Sequence, residues 1–575
     1  MAPAGVAATE GSAAAGIAVK RAKRGEESGP AARSEACFHH GTVSATPVLP
    51  ATAWPARDGA HLLVSAAQMG ALEAQLLASG LPVEALMEKA ALAVVRRLQQ
   101  PDWLPQLQER GALVLVGPGH NGGDGLVVAR ELHLAGLAVR TWSPFERHKP
   151  LTAAHRRHAQ WLGIPELNTP PDHADGAIWI DALFGIGQSR APGEPLETLL
   201  EQRQQHQPGL LIAIDGPTGL CADSGQPLGR CAASAGLTLA IGLIKQGWLQ
   251  DPALRWLGQL ERLELGLPKA LLQTLPASQP LALHPADLAT APWPRLNPAA
   301  SKYQRGRLLV IAGSGAYRGA AALALQGASA SGCGSLRAAV PDAVAQRLWS
   351  LQPQVVLSAA LPDNGSGGLA LAALPEDALE RLDAVVLGPG LGDAADGRAD
   401  RATWQRLQAF TGLLLLDADG LNRLAPQHPL AWLRERGGPT WLTPHHGEFS
   451  RLFPQWAELP PLEAALHGAE QSSGQHPCGL LLKGARSVVA AGDGRRWQLS
   501  QACPAAARTG LGDVLTGYAG GLAARGLAAS GNADSSLLAL AALAHACAGS
   551  TAAEHNGVGG ATPMAVAEML CAITQ

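Results

Sequence analysis

Two clusters of glycine with acidic and amide side chains stand out in this sequence as chemistry. Late in the chain, Thr509-Gly510-Leu511-Gly512-Asp513-Val514-Leu515-Thr516-Gly517 leads into a long apolar stretch. Glycines ahead of a helix leave its first amides open, and such amides stabilise a transferring phosphoryl group. Asp513 beside them can accept the proton of an attacking hydroxyl; the plainer reading is a helix N-cap. The earlier cluster, Gly117-Pro118-Gly119-His120-Asn121-Gly122-Gly123-Asp124-Gly125, follows a short apolar run. Its glycines let backbone amides approach a phosphate. It contains G-x-G-x-x-G, yet the ribose-binding acid of a dinucleotide fold, due about 20 residues on, is missing. The next run reads Val139-Arg140-Thr141, and Asn121 and Asp124 are unusual in a plain phosphate loop.

Two further loops of the first half carry oxygen donors. One runs from Asp181 through Gly185-Ile186-Gly187-Gln188-Ser189-Arg190, the other is Asp215-Gly216-Pro217-Thr218-Gly219-Leu220. Carboxylate, amide and hydroxyl oxygens from three loops can converge on a hard cation; the alternative is that each Asp caps the helix after it. The second half adds Lys302-Tyr303-Gln304-Arg305-Gly306, Gly313-Ser314 with Tyr317 to Ala320, and Gly388-Pro389-Gly390-Leu391-Gly392. It continues with Asp417-Ala418-Asp419-Gly420-Leu421-Asn422, Thr443-Pro444-His445-His446-Gly447-Glu448 and Lys483-Gly484-Ala485. His445, His446 and Glu448 lack the H-E-x-x-H spacing and are read as non-ligands.

The elements that must position these groups are short buried strands alternating with helices. Ser65-Ala66-Ala67-Gln68 matches a capping box, and a second helix spans 81–99. Apolar runs at 112–116, 177–181, 210–215 and 237–241 read as strands of a parallel sheet, with a helix over 125–135 and a strand over 137–142. A second series begins at 308–311 and recurs at 384–387, 413–416, 440–442 and 480–482. Most of the motifs lie at strand ends, where open α/β sheets hold ligands. The halves share no repeat, so two different α/β domains are expected, at 61–266 and 300–575. A Pro-rich linker over 267–299 and a disordered tail over 1–60 complete the division. Each domain is expected to have its own core.

Bulk properties narrow the function. The 575 residues carry a formal net charge of −3, so no overall basic character recruits nucleic acid or anionic membrane. The cluster Lys20-Arg21-Ala22-Lys23-Arg24 is read as a solvated run. The eight cysteines form no C-x-x-C pair and read as free thiols of a cytoplasmic protein. No apolar run of about 20 residues is seen, so no membrane span is expected.

The motifs of the first half, GPGHNGGDG, DALFGIG, DGPTGL and Ile241-Gly242-Leu243-Ile244-Lys245, with Leu86 to Ala90, resemble the YjeF-type N-terminal domain over about 62–265. The resemblance implies a Rossmann-like three-layer αβα sandwich acting as an NAD(P)H-hydrate epimerase with a bound potassium ion. Asn121, Asp181 and Thr218 fall on the ion-ligand positions. His120, Asn121, Gly122, Gly123, Asp124, Gly185, Ile186, Gly187, Gln188, Ser189, Arg190, Ala191 and Asp215 fall on substrate positions. His120 stands where the family usually has Asn, and Thr218 where it has Ser. In a hydrated dihydronicotinamide the ring nitrogen can expel the neighbouring hydroxyl, and water can return from the other face. Asp215 is the candidate acid/base for that exchange, with Lys245 to tune it or position the hydroxyl.

The second half resembles the ribokinase-like NAD(P)H-hydrate dehydratase over about 300–575. That resemblance implies an αβα domain in which ADP or ATP, with Mg2+, phosphorylates the hydroxyl so that it can leave. Asp513 would be the base and a substrate contact. Ala320, Gly390 and His445 fall on substrate positions, and Lys483, Gly484, Ala485, Arg486, Ser487 and Gly512 on nucleotide positions. Leu511 and Ser301 depart from the usual residues. The expected substrates are the hydrates NADHX and NADPHX, and a homo-oligomer is expected. Two rivals remain from the sequence: a small-molecule kinase fused to a regulatory domain, and a nucleotide sensor without turnover.

Overall fold

The computed structural model of the chain describes residues 54–394 and 399–575; the basic cluster near Lys20 and Cys37 lie outside them. In chain order the first half contributes β1 (Leu63–Val64), β2 (Ala112–Val116), β3 (Val139–Trp142), β4 (Glu166–Leu167), β5 (Ile178–Ala182), β6 (Leu211–Ile214), β7 (Leu237–Ile241), β8 (Ile244–Lys245) and β9 (Gln259–Leu263). Seven of these form one sheet in the order β4-β3-β2-β5-β6-β7-β9, with every pair parallel. Alternation along the strands fills both faces. Val114 and Val116 enter one apolar cluster with the helix Val83–Leu98, while Leu113 and Leu115 enter another with Trp179 and Leu200. This is the three-layer sandwich.

The second half contributes β10 (Leu281–Leu283), β11 (Arg307–Ile311), β12 (Ser335–Pro341), β13 (Val356–Leu361), β14 (Ala384–Leu387), β15 (Leu413–Leu416), β16 (Thr440–Leu442), β17 (Cys478–Leu482), β18 (Val488–Ala491) and β19 (Arg496–Leu499). They form one sheet in the order β10-β19-β18-β17-β16-β15-β14-β11-β12-β13. It is parallel except around β18, which is antiparallel to both neighbours. The helices Arg318–Ala330 and Leu511–Ser530 pack tightly on one face. Gly517 is required there, because a Cβ at that position would stand 1.8 Å from the Ala324 carbonyl oxygen.

Several expectations need correction. Residues 54–60 are not tail. Trp54 is buried, its indole donates to the Asp287 carbonyl (3.1 Å), and its own carbonyl accepts from the Trp497 indole (3.0 Å). Segment 267–299 does more than link, since β10 pairs with β19 at the sheet edge and Leu281 bridges Leu62. Its prolines hid a strand because an edge position does not need every backbone donor. Nor are the cores separate. Leu62, Val64, Met69, Leu72 and Leu243 share a cluster with Leu281, Leu283, Leu481 and Trp497.

Two helices also differ from the sequence reading. The helix after β2 begins at His120, so the glycine-rich motif forms its first turn. The helix Ser535–Asn556 is long and apolar enough to cross a membrane by length and composition. The sequence reading named no helix here because it is apolar on every side, so no amphipathic period marks it. Within the fold it is a core helix, with Leu538, Leu540 and Ala544 fully buried.

Candidate active sites

In each sheet the strand order reverses near the middle, between β2 and β5 and between β11 and β14. Such a reversal opens a crevice at the carboxyl ends of the strands. The first-half motifs meet at one of these crevices. A cavity of about 380 Å3 there is lined by His120, Asn121, Asp124, Gly185, Ile186, Gly187, Gln188 and Asp215. Glu73, Leu77, Val83 and Met87 close its apolar side. Gly122 and Gly123 are buried against the protein, where a Cβ would meet the Gly117 carbonyl or the Met87 thioether. Ser189, Arg190 and Ala191 are exposed and stand outside that lining.

Asp215 sits at the centre in a conformation unusual for a side-chain-bearing residue, with φ of 53°. Its Oδ1 accepts from Lys245 Nζ (2.6 Å) and from the Ile241 amide (3.1 Å). Both bonds fall on the same oxygen. Lys245 is completely buried, bonded also to the Ile241 carbonyl (3.0 Å) and 4.8 Å from the Trp248 ring centre. It stands behind Asp215, off the cavity wall, and so holds the carboxylate.

Two more acids face this centre. Burial, with the Asp215 charge added, raises Glu73 above the usual carboxylate range. Burial and the charges of Asp215 and Glu73 push Asp124 well above it. Glu73, on the helix Ala66–Ala78, escaped the sequence reading because no motif surrounds it. His120 is pushed down by burial and by Lys149, so it meets the cavity as a neutral ring.

The three expected ion ligands are near one another in part. Asp181 is fully buried; its carboxylate accepts the Thr218 amide (2.8 Å), the Thr218 hydroxyl (2.7 Å) and the Leu183 amide (3.2 Å). Burial pushes its acid up to about 6. Every bonded partner is neutral, and a buried carboxylate without a cation is costly. Asn121 donates to the Ile214 carbonyl (3.2 Å), while its buried Oδ1 has no partner. An orphaned amide oxygen and a buried carboxylate without a cationic partner are donors of the kind a monovalent cation takes.

The second site gathers at the ends of β15, β16 and β17 and at the helix Leu511–Ser530. Gly510, with φ of 90°, starts that helix, so Gly512 and Asp513 lie in its first turn. Asp417 is almost fully buried and accepts from Lys483 Nζ (2.6 Å) and the Thr516 hydroxyl (2.5 Å). Burial works against the Lys483 ammonium, but Asp417 and Glu448 overcome it and hold it charged. Asp513 is pushed up to about 7, first by burial and then by Asp417, with Lys483 opposing. That value suits a general base near neutrality.

The remaining expected residues fall around this centre. A Cβ on Gly390 would stand 2.7 Å from both Ala320 and Tyr317, so these loops touch. His445 caps its helix; Nδ1 accepts from Gly447 (3.0 Å) and Glu448 (3.3 Å), which places the ring proton on Nε2. Burial and Lys483 lower it, so the ring is neutral. Ala485 and Arg486, expected at the nucleotide, donate their amides to Asp251 of the first half. Leu511 packs into the core, which accounts for its apolar type, and the Ser301 amide is bonded by Gln304 (2.9 Å) in a helical turn.

Two doubly wound sheets, each presenting acids and a lysine at its strand ends, define a two-site nucleotide-handling enzyme. The family profile described as NAD(P)H-hydrate dehydratase matches residues 308–572, and that of the YjeF-related protein N-terminus matches 83–247. The bifunctional NAD(P)H-hydrate repair enzyme Nnr of Gloeobacter violaceus is 43% identical over 469 residues, 80% of this chain and 89% of its own. The Synechocystis protein of the same name is 42% identical, covering 80% and 86%. A solved ADP/ATP-dependent NAD(P)H-hydrate dehydratase from Bacillus subtilis, crystallised with ATP and Mg2+, covers 50% of this chain and 96% of its own, at 24% identity and a TM-score of 0.41. The chain belongs to the family of bifunctional NAD(P)H-hydrate repair enzymes. It is an enzyme with an epimerase-type first half and an NAD(P)H-hydrate dehydratase second half; the kinase-plus-sensor reading is not favoured.

Proposed function

We propose that the first half interconverts the R and S hydrates of NADH and NADPH at Asp215, and that the second dehydrates the S form with ADP or ATP at Asp513. The observation that carries this reading is the pair of acids at the two crevices. Asp215 has Lys245 on one oxygen and the cavity beside it. Asp513 lies in an amide-rich first turn with its acid near neutrality.

In the epimerase half Asp215 protonates the departing hydroxyl, which leaves as water while the ring nitrogen supplies the electron pair. Water returning from the opposite face gives its proton back to the carboxylate. Lys245 fixes that carboxylate and balances its charge. Asp124 and Glu73 enclose the same space. Asn121, Asp181 and Thr218 would hold K+, which supplies positive charge for the buried Asp181.

In the dehydratase half the substrate hydroxyl gives its proton to Asp513 as its oxygen attacks the terminal phosphorus of the nucleotide. With ADP this releases AMP. The new ester then leaves as phosphate while a proton departs from the adjacent ring carbon, restoring the dihydronicotinamide. The open amides at the start of the Leu511 helix stabilise charge on the phosphoryl oxygens. Among the described residues no group of three His, Cys, Asp or Glu side chains is placed to hold a metal ion. Mg2+ bound to the nucleotide would neutralise phosphate charge, with the acids Asp417, Glu448 and Asp513 beside it. Ala320, Gly390 and His445 would border the hydrate, and Lys483 and Gly512 the phosphates.

The test is conversion of separately purified R and S hydrates, followed by the return of dihydronicotinamide absorbance with ADP or ATP. Both should be repaired, the R form only through the S form. Exchanging K+ for a bulky organic cation should slow the R hydrate alone. Consumption of ATP without any return of absorbance would overturn the assignment.

A further inference from the structure

The stretch that carries Lys245 continues directly into the other active site. Lys245 Nζ lies over Trp248, and the Trp248 carbonyl accepts from the Arg486 guanidinium (2.9 Å). Three residues on, Asp251 reaches across to the loop after β17. Its Oδ2 accepts the Ala485 amide (2.8 Å) and its Oδ1 the Arg486 amide (3.0 Å). Gly484 is pressed so close that a Cβ there would stand 2.7 Å from Asp251 Oδ2. Beside them Gln250 donates to Gln498 of β19 (2.8 Å), and Gln498 donates to the Leu249 carbonyl (2.8 Å). A cavity of about 460 Å3 opens along this seam, with Gln250 and Asp251 on one wall and Lys483, Gly484 and Arg486 on the other.

We propose that Asp251 is a positioning residue for the dehydratase, acting from the epimerase half through loop 483–487. Two successive amides aimed the same way form an anion cradle, and here a carboxylate of the same chain fills it. These amides are therefore spent on holding the loop, not on nucleotide phosphates. The loop is clamped on its outer side by Asp251 while Lys483, on its inner side, points to Asp417. Clamping one side fixes where the other presents its cation. Nucleotide affinity in the second half thus depends on a residue six positions after Lys245 of the first. The inference rests on the reading that loop 483–487 meets the nucleotide.

The experiment uses the full chain with Asp251→Ala and Asp251→Asn, and Lys483→Met as a control on the loop itself. ADP affinity is measured by calorimetry, KM for ADP and kcat with the S hydrate, and R-hydrate consumption separately. Because Asp251 is exposed, loss of its two bonds should raise Kd and KM about fivefold. The change in kcat should stay below twofold and epimerisation should be unaltered. Asp251→Asn, whose Oδ1 can still accept one amide, should fall between, and it serves if the alanine variant does not fold. If Lys483→Met weakens ADP binding while neither Asp251 variant does, the positioning role is wrong and the loop reading stands. If none of the three alters ADP binding, the loop reading fails and takes the proposal with it. Tighter ADP binding in Asp251→Ala would mean that the carboxylate competes with phosphate, which also overturns it.

Discussion

The two active sites use the same pair of residue types in opposite ways. At the first, the lysine touches the proposed catalytic acid: Lys245 Nζ is 2.6 Å from Asp215. At the second, the lysine touches a different acid: Lys483 Nζ is 2.6 Å from Asp417, and Asp513 feels it only at a distance. A directly paired carboxylate has its charge compensated in place, which suits a proton that goes out and comes back. An unpaired one in a buried, acidic setting holds a proton more tightly and becomes a stronger base once ionised. Dehydration through a phosphate ester needs that strength, because a hydroxyl must be deprotonated as it attacks. The comparison teaches that a lysine beside an acid does not by itself define a role; which acid it bonds does.

The sharpest way to break the comparison is to remove each acid in turn. Asp513→Asn should lower conversion of the S hydrate by about 10²–10⁴-fold, the usual range for losing a general base. Nucleotide binding should remain, and net repair of both epimers should fail. Near-normal turnover would reduce Asp513 to a first-turn acid that only complements the helix dipole. Asp215→Asn should slow use of the R hydrate by at least about 10²-fold and leave the S hydrate untouched. Measured at 25 °C on separated epimers, equal slowing of both would show that the two sites are not independent. That outcome has some structural basis, since the halves share an apolar cluster and the 245–251 segment joins their sites.

Much of this was legible in the sequence because glycine and strand-end acids carry their own punctuation. The run from Ala112 to Val116 reads as a buried strand, and the glycines after it mark the turn into the next helix. Residues whose roles depend on long-range packing were not legible. Glu73 is one acid on an ordinary helix, and only the fold brings it to Asp215. Asp251 sits in a short turn, and its partners are more than 230 positions away. Segment 267–299 looked like a connector because proline argues against a strand, although Leu281 to Leu283 forms the sheet edge. The helix over 535–556 was not legible for a different reason: it is apolar on every side, as a core helix is, and so shows no amphipathic period.

A smaller effect tests the origin of the difference between the acids. With Asp513 pushed up to about 7, kcat/KM for the S hydrate should rise with pH and level off above that value. Asp417 raises the Asp513 acid and Lys483 lowers it. The rising limb should therefore move to lower pH in Asp417→Asn and to higher pH in Lys483→Met, whatever either change does to the maximum rate. A limb that stays fixed in both variants would mean that burial alone sets Asp513 and that the lysine-to-Asp417 pairing is incidental.

The smallest effect is on stability, and it has opposite signs at the two sites. The fold holds the Asp513 proton up to about 7, against 3.8 for an ordinary aspartate. Between these values the folded state binds more protons than the unfolded chain, so this residue's contribution to stability falls as pH rises from about 4 to about 7. Above that window its cost is present in full. Asp513→Asn carries no such charge and should raise Tm at pH 8 by roughly 2–4 °C, with little change at pH 4. Asp215→Asn does the reverse. It keeps an oxygen that can accept from Lys245 but removes the only negative charge bonded to that completely buried ammonium, whose other partners are the Ile241 carbonyl and the Trp248 face. Removing one member of a buried pair is destabilising because the remaining charge is uncompensated. Its Tm at pH 8 should fall by more than Asp513→Asn raises it. Calorimetric scans of the two variants beside the parent chain read both signs at once. A rise for both would mean that Asp215, like Asp513, is held against its own charge, and the contrast between a paired and an unpaired acid would collapse.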